Sequence, residues 1–159
     1  MTWEMDGSHN QGDGVGVTAH SRQAASLLPS GLMDKASADL VAFAGQWIVR
    51  AHARDVDFIE KASYSADDAA VHTIASGPDS SLSLAALLGH LADFPPREVV
   101  DLDLDGWAHD GVAWLCGTGR VDMLEDGFLD VRLTMVLLRA GDGWKVAHCH
   151  ISEGVPHEV

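Results

Sequence analysis

Apolar and polar positions follow a helical period in the first part of the chain and a strand period in the second part. Asp34 can serve as a helix N-cap, and after it apolar residues recur at helical spacing, which predicts one buried helix face. These residues are Leu40, Phe43, Ala44, Trp47, Ile48 and Ala51. Asp55 is expected to cap a second, shorter helix that runs to about Tyr64.

A short apolar run at 70–75 then predicts a strand, and a leucine stripe predicts a third helix. The stripe consists of Leu84, Leu87, Leu88 and Leu91, and Phe94-Pro95-Pro96 ends it. After Arg97 the period changes to two, with strand-like runs near 98–105, 112–123, 128–140 and 144–152 separated by glycine turns. Helices followed by an antiparallel meander predict an α+β fold, with the N-terminal helices packed on one face of a curled antiparallel sheet.

The length of 159 residues suits one domain. Residues 1–33 are rich in glycine and polar residues, so we expect a flexible or loosely docked leader before a domain that spans 34–159. The leader has neither a basic nor an apolar signal region, and no later stretch is apolar enough to span a membrane. We therefore expect a cytoplasmic protein.

Charge and cysteine content exclude some classes of partner. The formal net charge of −14 repels phosphate backbones and anionic lipids, which argues against binding to nucleic acid or to a membrane surface. Cys116 and Cys149 lack the spacing of a zinc ribbon. Two buried thiols are the simpler interpretation, and a single disulfide between paired strands is the alternative.

The order of elements and the end of the chain together resemble a known family. Helix, helix, short strand, helix and curled meander is the plan of the nuclear transport factor 2-like superfamily. The run from Gly143-Trp144 to Gly154-Val155-Pro156, which includes His150-Ile151-Ser152, is similar to the ending of its SnoaL-like branch. The association domain of calmodulin-dependent kinases ends similarly, with His-x-His-x-Ser-Gly-x-Pro.

This resemblance implies a cone-shaped fold with an apolar pocket between sheet and helices, and homodimers built across the outer sheet face. The activities of the superfamily include isomerases, polyketide cyclases and dehydratases. A small hydrophobic molecule is therefore the expected ligand, with no cofactor, and lyase, isomerase or cyclase chemistry would proceed by acid–base catalysis. The fold itself does not identify the reaction.

The His148-x-His150 pair is the sharpest local feature, because two imidazoles on one strand face could relay protons or bind a metal. No third ligand is paired with them, so no metal site is predicted. If 141–143 form a three-residue turn, His150 lies opposite Thr134 and Ser152 opposite Arg132, on the outer face. A two-residue turn would instead set the two histidines opposite Leu137 and Met135, in the pocket.

Two interpretations remain open. In the first, His148 or His150 is the proton carrier of a pocket walled by Trp47, Trp114 and Met135. In the second, the domain is a non-catalytic dimerisation or ligand-sensing module whose interface contains the outer-face network. That network consists of Arg132, Thr134, His150 and Ser152. The alternating carboxylates Asp101, Asp103 and Asp105 indicate a solvated face or strand edge rather than a cation site.

Overall fold

A computed structural model describes residues 33–65, 73–74 and 81–153 of the chain. The described helices are α1 (Ala38–His52), α2 (Val56–Ala62) and α3 (Leu84–Asp93), with a 3₁₀ turn at Leu124–Asp126. The described strands are β1 (Asp34–Lys35), β2 (Thr73–Ile74), β3 (Ser81–Leu82), β4 (Val99–His109), β5 (Val112–Asp122), β6 (Phe128–Ala140) and β7 (Gly143–Glu153). The predicted leader lies outside the described residues except for Met33.

Side-chain caps explain where the helices begin. Ser37, not Asp34, caps α1, and its hydroxyl accepts a hydrogen bond from the Leu40 amide, while Asp34 pairs with β4 in the short strand β1. Asp55 caps α2 as predicted, because its carboxylate accepts from the Phe58 amide. None of the helices in the described part of the chain is long and apolar enough to cross a membrane.

The four long strands form the predicted antiparallel meander, inside a sheet of order β1-β4-β5-β6-β7-β2-β3. The sheet is mixed and not antiparallel throughout, because β2 pairs with β7 in parallel. The strand expected at 70–75 is described only at Thr73 and Ile74, and its other residues lie outside the described ranges. The fold is nevertheless α+β, with three helices packed on a curled mixed sheet.

The helices cover one face of the sheet, which we call the inner face. The alternating apolar residues of β6 lie on it as predicted, and Leu133, Met135 and Leu137 are buried together with Trp47 and Ile48 of α1. Burying each large side chain stabilises the fold by roughly 1.5–3 kcal/mol. The opposite side, which we call the outer face, is not covered by any element that the structure describes.

A single extra residue in β7 determines which of its side chains point outward. The turn between β6 and β7 has two residues, since Ala140 pairs with Gly143, and this register continues to Leu137 and Val146. The register then shifts, so that Val136 pairs with His148 and Ala147 is the additional, bulged residue. Beyond the bulge Thr134 pairs with His150, which is the outer-face arrangement that we had expected from a three-residue turn.

Candidate functional site

A cavity of about 330 Å³ lies between the helices and the inner face of the sheet. Its wall is mainly apolar and comes from α1, α3 and the ends of β5, β6 and β7. The apolar side chains that line it include Trp47, Leu82, Leu87, Leu91, Val121, Leu129, Val131 and Ile151. This volume is at the lower end of the range for pockets that hold small organic ligands, roughly 300–1,000 Å³.

Six polar or charged side chains also line this cavity, and four of them lie at or just after the C-terminal ends of α1 and α3. The six are His52, Arg54, Thr73, His90, Arg97 and Glu153. Among the described residues this set contains two arginines and two histidines but only one carboxylate, in a chain whose net charge is −14. The described part of the cavity wall therefore carries more cationic than anionic side chains, whereas the protein as a whole is acidic.

His52 ends α1 and presents a defined tautomer to the cavity. Its Nδ1 lies 2.9 Å from the Ile48 carbonyl oxygen, which can only accept, so Nδ1 carries the proton. Burial lowers the pKa of His52 below its ordinary value, and the positive charges of Arg54 and Arg97 lower it further, against the raising effect of the Ile48 hydrogen bond. The imidazole is therefore neutral at pH 7, and its Nε2 is a hydrogen-bond acceptor or proton acceptor.

A backbone hydrogen bond holds Arg97 beside His52, and its guanidinium group has few hydrogen-bond acceptors among the described residues. Its amide donates to the His52 carbonyl oxygen at 2.8 Å, directly after the proline pair that ends the α3 region. One terminal nitrogen, Nη1, lies 2.8 Å from the Met123 sulfur, which is a weak acceptor. The Nε atom is buried and has no hydrogen-bond partner among the described residues.

Arg54 stands next to Arg97 at the α1–α2 junction. It has a φ of 64°, a left-handed conformation that turns the chain from α1 into α2. Its Nε donates to the Pro95 carbonyl oxygen at 2.9 Å. Burial lowers its pKa, and the neighbouring charge of Arg97 lowers it further. Two guanidinium groups therefore face one cavity without an acidic partner for either of them in the described part of the chain.

His90 completes this group from α3. Its ring stacks on the Phe94 ring with the centroids 4.3 Å apart, and Phe94 also lines the cavity. Burial lowers the pKa of His90, and Arg54 and Arg97 lower it further, against a smaller raising effect of Asp93. His90 therefore also favours its neutral form near the two arginines.

Of the three predicted ligand-binding residues, only Trp47 lines the cavity. Its indole Nε1 donates to the Ser63 hydroxyl at 3.1 Å, which fixes the ring on the buried side of α1. Met135 is fully buried on the inner face, but it belongs to the packed core and does not line the cavity.

Trp114 does not lie where a pocket wall was expected. It is on the outer face with 39% of its surface exposed, because its chain neighbours Ala113 and Leu115 point to the buried inner face. Its ring lies 5.7 Å from that of Trp107. Position in the sequence could not decide this, since alternation defines two faces but does not say which one the helices cover.

His148 and His150 also lie on the outer face, separated by the sheet from the cavity, because of the bulge at Ala147. They stand opposite Val136 and Thr134 respectively. Their role as proton carriers stays a prediction, and it would have to operate on the outer face. The predicted network is brought together there, with Arg132 opposite Ser152 and Thr134 opposite His150.

The outer face carries a cross-strand apolar row, which we call the tryptophan row. It consists of Trp107, Trp114 and Val136, which stand opposite one another on β4, β5 and β6, with His148 at its end on β7. The neighbouring row contains Cys116, whose thiol is free and exposed, whereas Cys149 is free and buried on the inner face. The expectation of two buried thiols therefore holds for Cys149 and is wrong for Cys116.

The alternating carboxylates of β4 are solvated, as expected. Asp101, Asp103 and Asp105 are all exposed. The Asp105 carboxylate forms an ion pair with the Lys35 ammonium group, and Asp101 Oδ2 lies 3.0 Å from Arg120 Nη1. The register of β4 against β5 shifts between Val100 and Asp103. Within the described ranges, no three His, Cys, Asp or Glu side chains are grouped as metal ligands would be.

The cavity cluster itself was missed by the sequence analysis. The sequence pattern assigned no role to Arg54, and it marked Arg97 only as the residue after which the period changes to two. A usable signal was present, because these cations flank the ends of two apolar helix stripes in a strongly acidic chain. Their convergence depends on how the two helix ends meet, which periodicity does not report.

Comparison with known proteins identifies a family that the sequence matches and solved structures that share its fold. The profile of the SnoaL-like domain matches residues 40–157, which include the cavity helices and the whole meander. No curated protein matches the sequence.

Several solved structures share the fold at low identity. An NTF2-like protein of unknown function from Pseudomonas putida KT2440 is 18% identical with a TM-score of 0.56, over 76% of this chain and 87% of that one. A candidate dehydratase of the NTF2-like family from Streptomyces avermitilis is 16% identical with a TM-score of 0.54, over 74% and 97%. A candidate calcium/calmodulin-dependent protein kinase type II association domain from Thiobacillus denitrificans is 15% identical with a TM-score of 0.56, over 72% and 94%.

Proposed function

Because the chain belongs to the SnoaL-like domain family, a branch of the NTF2-like superfamily, we propose that it binds a small, largely apolar molecule in the cavity between the helices and the inner face. The observation that carries this proposal is the cavity itself, about 330 Å³ in volume and lined by leucines, valines and the Trp47 ring. Apolar concave sites with a few fixed polar groups are the usual form of small-molecule sites.

The same cavity supports acid–base chemistry of the lyase, isomerase or cyclase kind, with His52 as the proton acceptor. A general base needs an unprotonated acceptor atom with a fixed orientation near its substrate. His52 meets this requirement, because its Nδ1 proton is committed to the Ile48 carbonyl and its lowered pKa keeps Nε2 unprotonated at pH 7. The name of the Streptomyces avermitilis neighbour, a candidate dehydratase, belongs to the same class of chemistry.

Ligand binding can be tested with a neutral probe, N-phenyl-1-naphthylamine, whose fluorescence rises in apolar surroundings. Leu129 lines the cavity, so Leu129→Trp should fill it and remove most of the fluorescence increase. Phe128→Trp is the matched control, because the neighbouring side chain is 42% exposed and does not line the cavity. Equal fluorescence in both variants would place the probe elsewhere and contradict the proposal.

A homodimer formed across the outer face is the second candidate function, either with ligand binding or as a non-catalytic module. It is supported by the tryptophan row, where Trp114 is 39% exposed, and by Val112, which is 45% exposed in the same strand. A contiguous apolar row of this kind on an otherwise acidic surface suits a protein interface. Its neighbouring row offers Thr134 and His150 for polar contacts with a second copy.

Sedimentation velocity tests the dimer. The wild-type protein should sediment as a dimer at micromolar concentration, and Trp114→Glu should convert it to a monomer, because a desolvated carboxylate would lie in the apolar row. Leu124→Glu is the control, since Leu124 is 48% exposed in the 3₁₀ turn and outside the row. A monomeric wild-type protein would contradict this second candidate.

A further inference from the structure

The charge of the cavity wall is the strongest feature that the proposed function leaves unexplained. The chain carries 24 acidic and 10 basic residues, yet the described part of the wall brings together Arg54, Arg97, His52 and His90 with one carboxylate, that of Glu153. Glu153 is exposed at the end of β7, and no salt bridge joins it to either arginine. An unbalanced pair of cations beside an apolar cavity is costly to the fold unless another group balances it.

These two guanidinium groups direct few of their hydrogen-bond donors to residues that the structure describes. A guanidinium has five N–H donors, and Arg97 directs one of them to the Met123 sulfur while its buried Nε has no acceptor among the described residues. Arg54 commits its Nε to the Pro95 carbonyl oxygen. A buried N–H donor without an acceptor destabilises the fold, and a ligand acceptor at this position would recover that free energy.

We propose that the ligand of this cavity is an amphipathic carboxylic acid, whose carboxylate is bound by Arg97 and Arg54 and whose apolar body lies against the leucine-lined wall. The inference rests on the proposed function and adds the chemical class of the ligand. A carboxylate matches the planar fork of a guanidinium, and a charge-assisted pair in apolar surroundings is stronger than a neutral hydrogen bond. His52 stands beside the same site, since its carbonyl oxygen accepts from the Arg97 amide.

A carboxylate fits this site better than a phosphate group does. Phosphate sites are typically built from several backbone amides at a glycine-rich turn and a helix N-terminus. Here the cations lie after the C-terminal ends of α1 and α3, and the surrounding wall consists of leucine, valine and aromatic side chains. The wall therefore favours one compact anionic group attached to an apolar skeleton.

The test compares two probes of nearly the same shape, the anion 1-naphthoate and the neutral 1-naphthamide, by isothermal titration calorimetry. The wild-type protein should bind 1-naphthoate at least about tenfold more tightly than 1-naphthamide, because only the carboxylate gains the arginine contacts. Raising sodium chloride from about 50 to 500 mM should weaken 1-naphthoate binding and leave 1-naphthamide binding unchanged, because salt screens the charge interaction. This salt comparison requires no variant.

Substitution then identifies the arginines. Arg97→Met and Arg54→Gln should each weaken 1-naphthoate binding at least about tenfold and change 1-naphthamide binding by less than about twofold, since the apolar wall is retained. Arg139→Gln is the matched control, because that guanidinium lies over the Trp144 ring and does not line the cavity. Thermal unfolding of each variant verifies that it is folded.

The outcomes separate the two proposals. Binding of neither naphthalene probe, nor of N-phenyl-1-naphthylamine, to the folded wild-type protein would contradict small-molecule binding in the cavity. Equal affinity for the acid and the amide, or equal loss of both in Arg97→Met, would contradict the carboxylate inference and leave cavity binding supported.

Discussion

We expect Cys116 and Cys149 to react with alkylating reagents at very different rates, because they lie on opposite faces of the sheet. Cys149 is fully buried on the inner face, and burial raises its pKa from 9.0 to about 12. Only the thiolate reacts with alkylating reagents. A rise from 9.0 to about 12 leaves about a thousandfold less thiolate at any pH below both values. Cys116 is exposed on the outer face.

The assay is alkylation with iodoacetamide at about pH 8, followed by intact-mass measurement and peptide mapping. We expect Cys116 to react at once and Cys149 at least about a thousandfold more slowly than an ordinary thiol, because its thiolate fraction is reduced and the reagent needs an opening of the fold. In Cys116→Ser the rapid reaction should disappear. Dilute protein should be used, since a second copy on the outer face would also cover Cys116.

The result bears directly on the histidines. Without the bulge at Ala147, Cys149 would lie on the face opposite to Val146, and His148 and His150 would share the face of Val146, beside the helices. Rapid alkylation of Cys149 in the folded protein would therefore refute the reasoning that places both histidines outside. Slow alkylation supports the outer-face assignment and, with it, the choice of His52 as the proton acceptor in the cavity.

Two further predictions concern stability. In urea unfolding, Gly106→Ala should destabilise the protein by about 3 kcal/mol or more, because its Cβ would lie 2.1 Å from the Trp114 carbonyl oxygen. Gly89→Ala should instead stabilise α3 by up to about 1 kcal/mol, because a Cβ at that position has nothing within 4 Å. An equal change in stability for the two variants would contradict this packing. Lowering the pH from about 7 to 5 should destabilise the wild type more than His52→Gln, because the pKa of His52 is lowered in the folded state and the unfolded chain takes up the proton first. A pH profile of His52→Gln identical to that of the wild type would count against the assigned environment of His52.

Much of the fold follows from local patterns in the sequence. The apolar stripe that starts at Leu40 predicts α1, and the Asp55 cap predicts the start of α2. Glycine turns separate runs of alternating residues, and these runs are the four strands of the meander. These signals are local because hydrogen bonding within a helix, a cap or a tight turn involves residues only a few positions apart.

The candidate site could not be derived in the same way. Trp47 was predictable as a wall residue because it lies on the apolar stripe of α1, and it does line the cavity. Trp114 and Met135 were chosen by type and position, and neither lines it, since one points outward and the other is packed in the core. Arg97 lies beside His52 only because a backbone hydrogen bond joins two segments that are distant along the chain.

The sequence by itself determined the helices, the strand order of the meander and the family, because each depends on short-range periodicity, turn chemistry or a local motif. The tertiary structure alone decided two matters. One bulged residue, Ala147, turned His148 and His150 to the outer face, since strand parity changes with a single insertion. The meeting of two helix ends placed Arg54, Arg97 and His52 at one cavity, because side chains that are far apart in sequence converge only through packing.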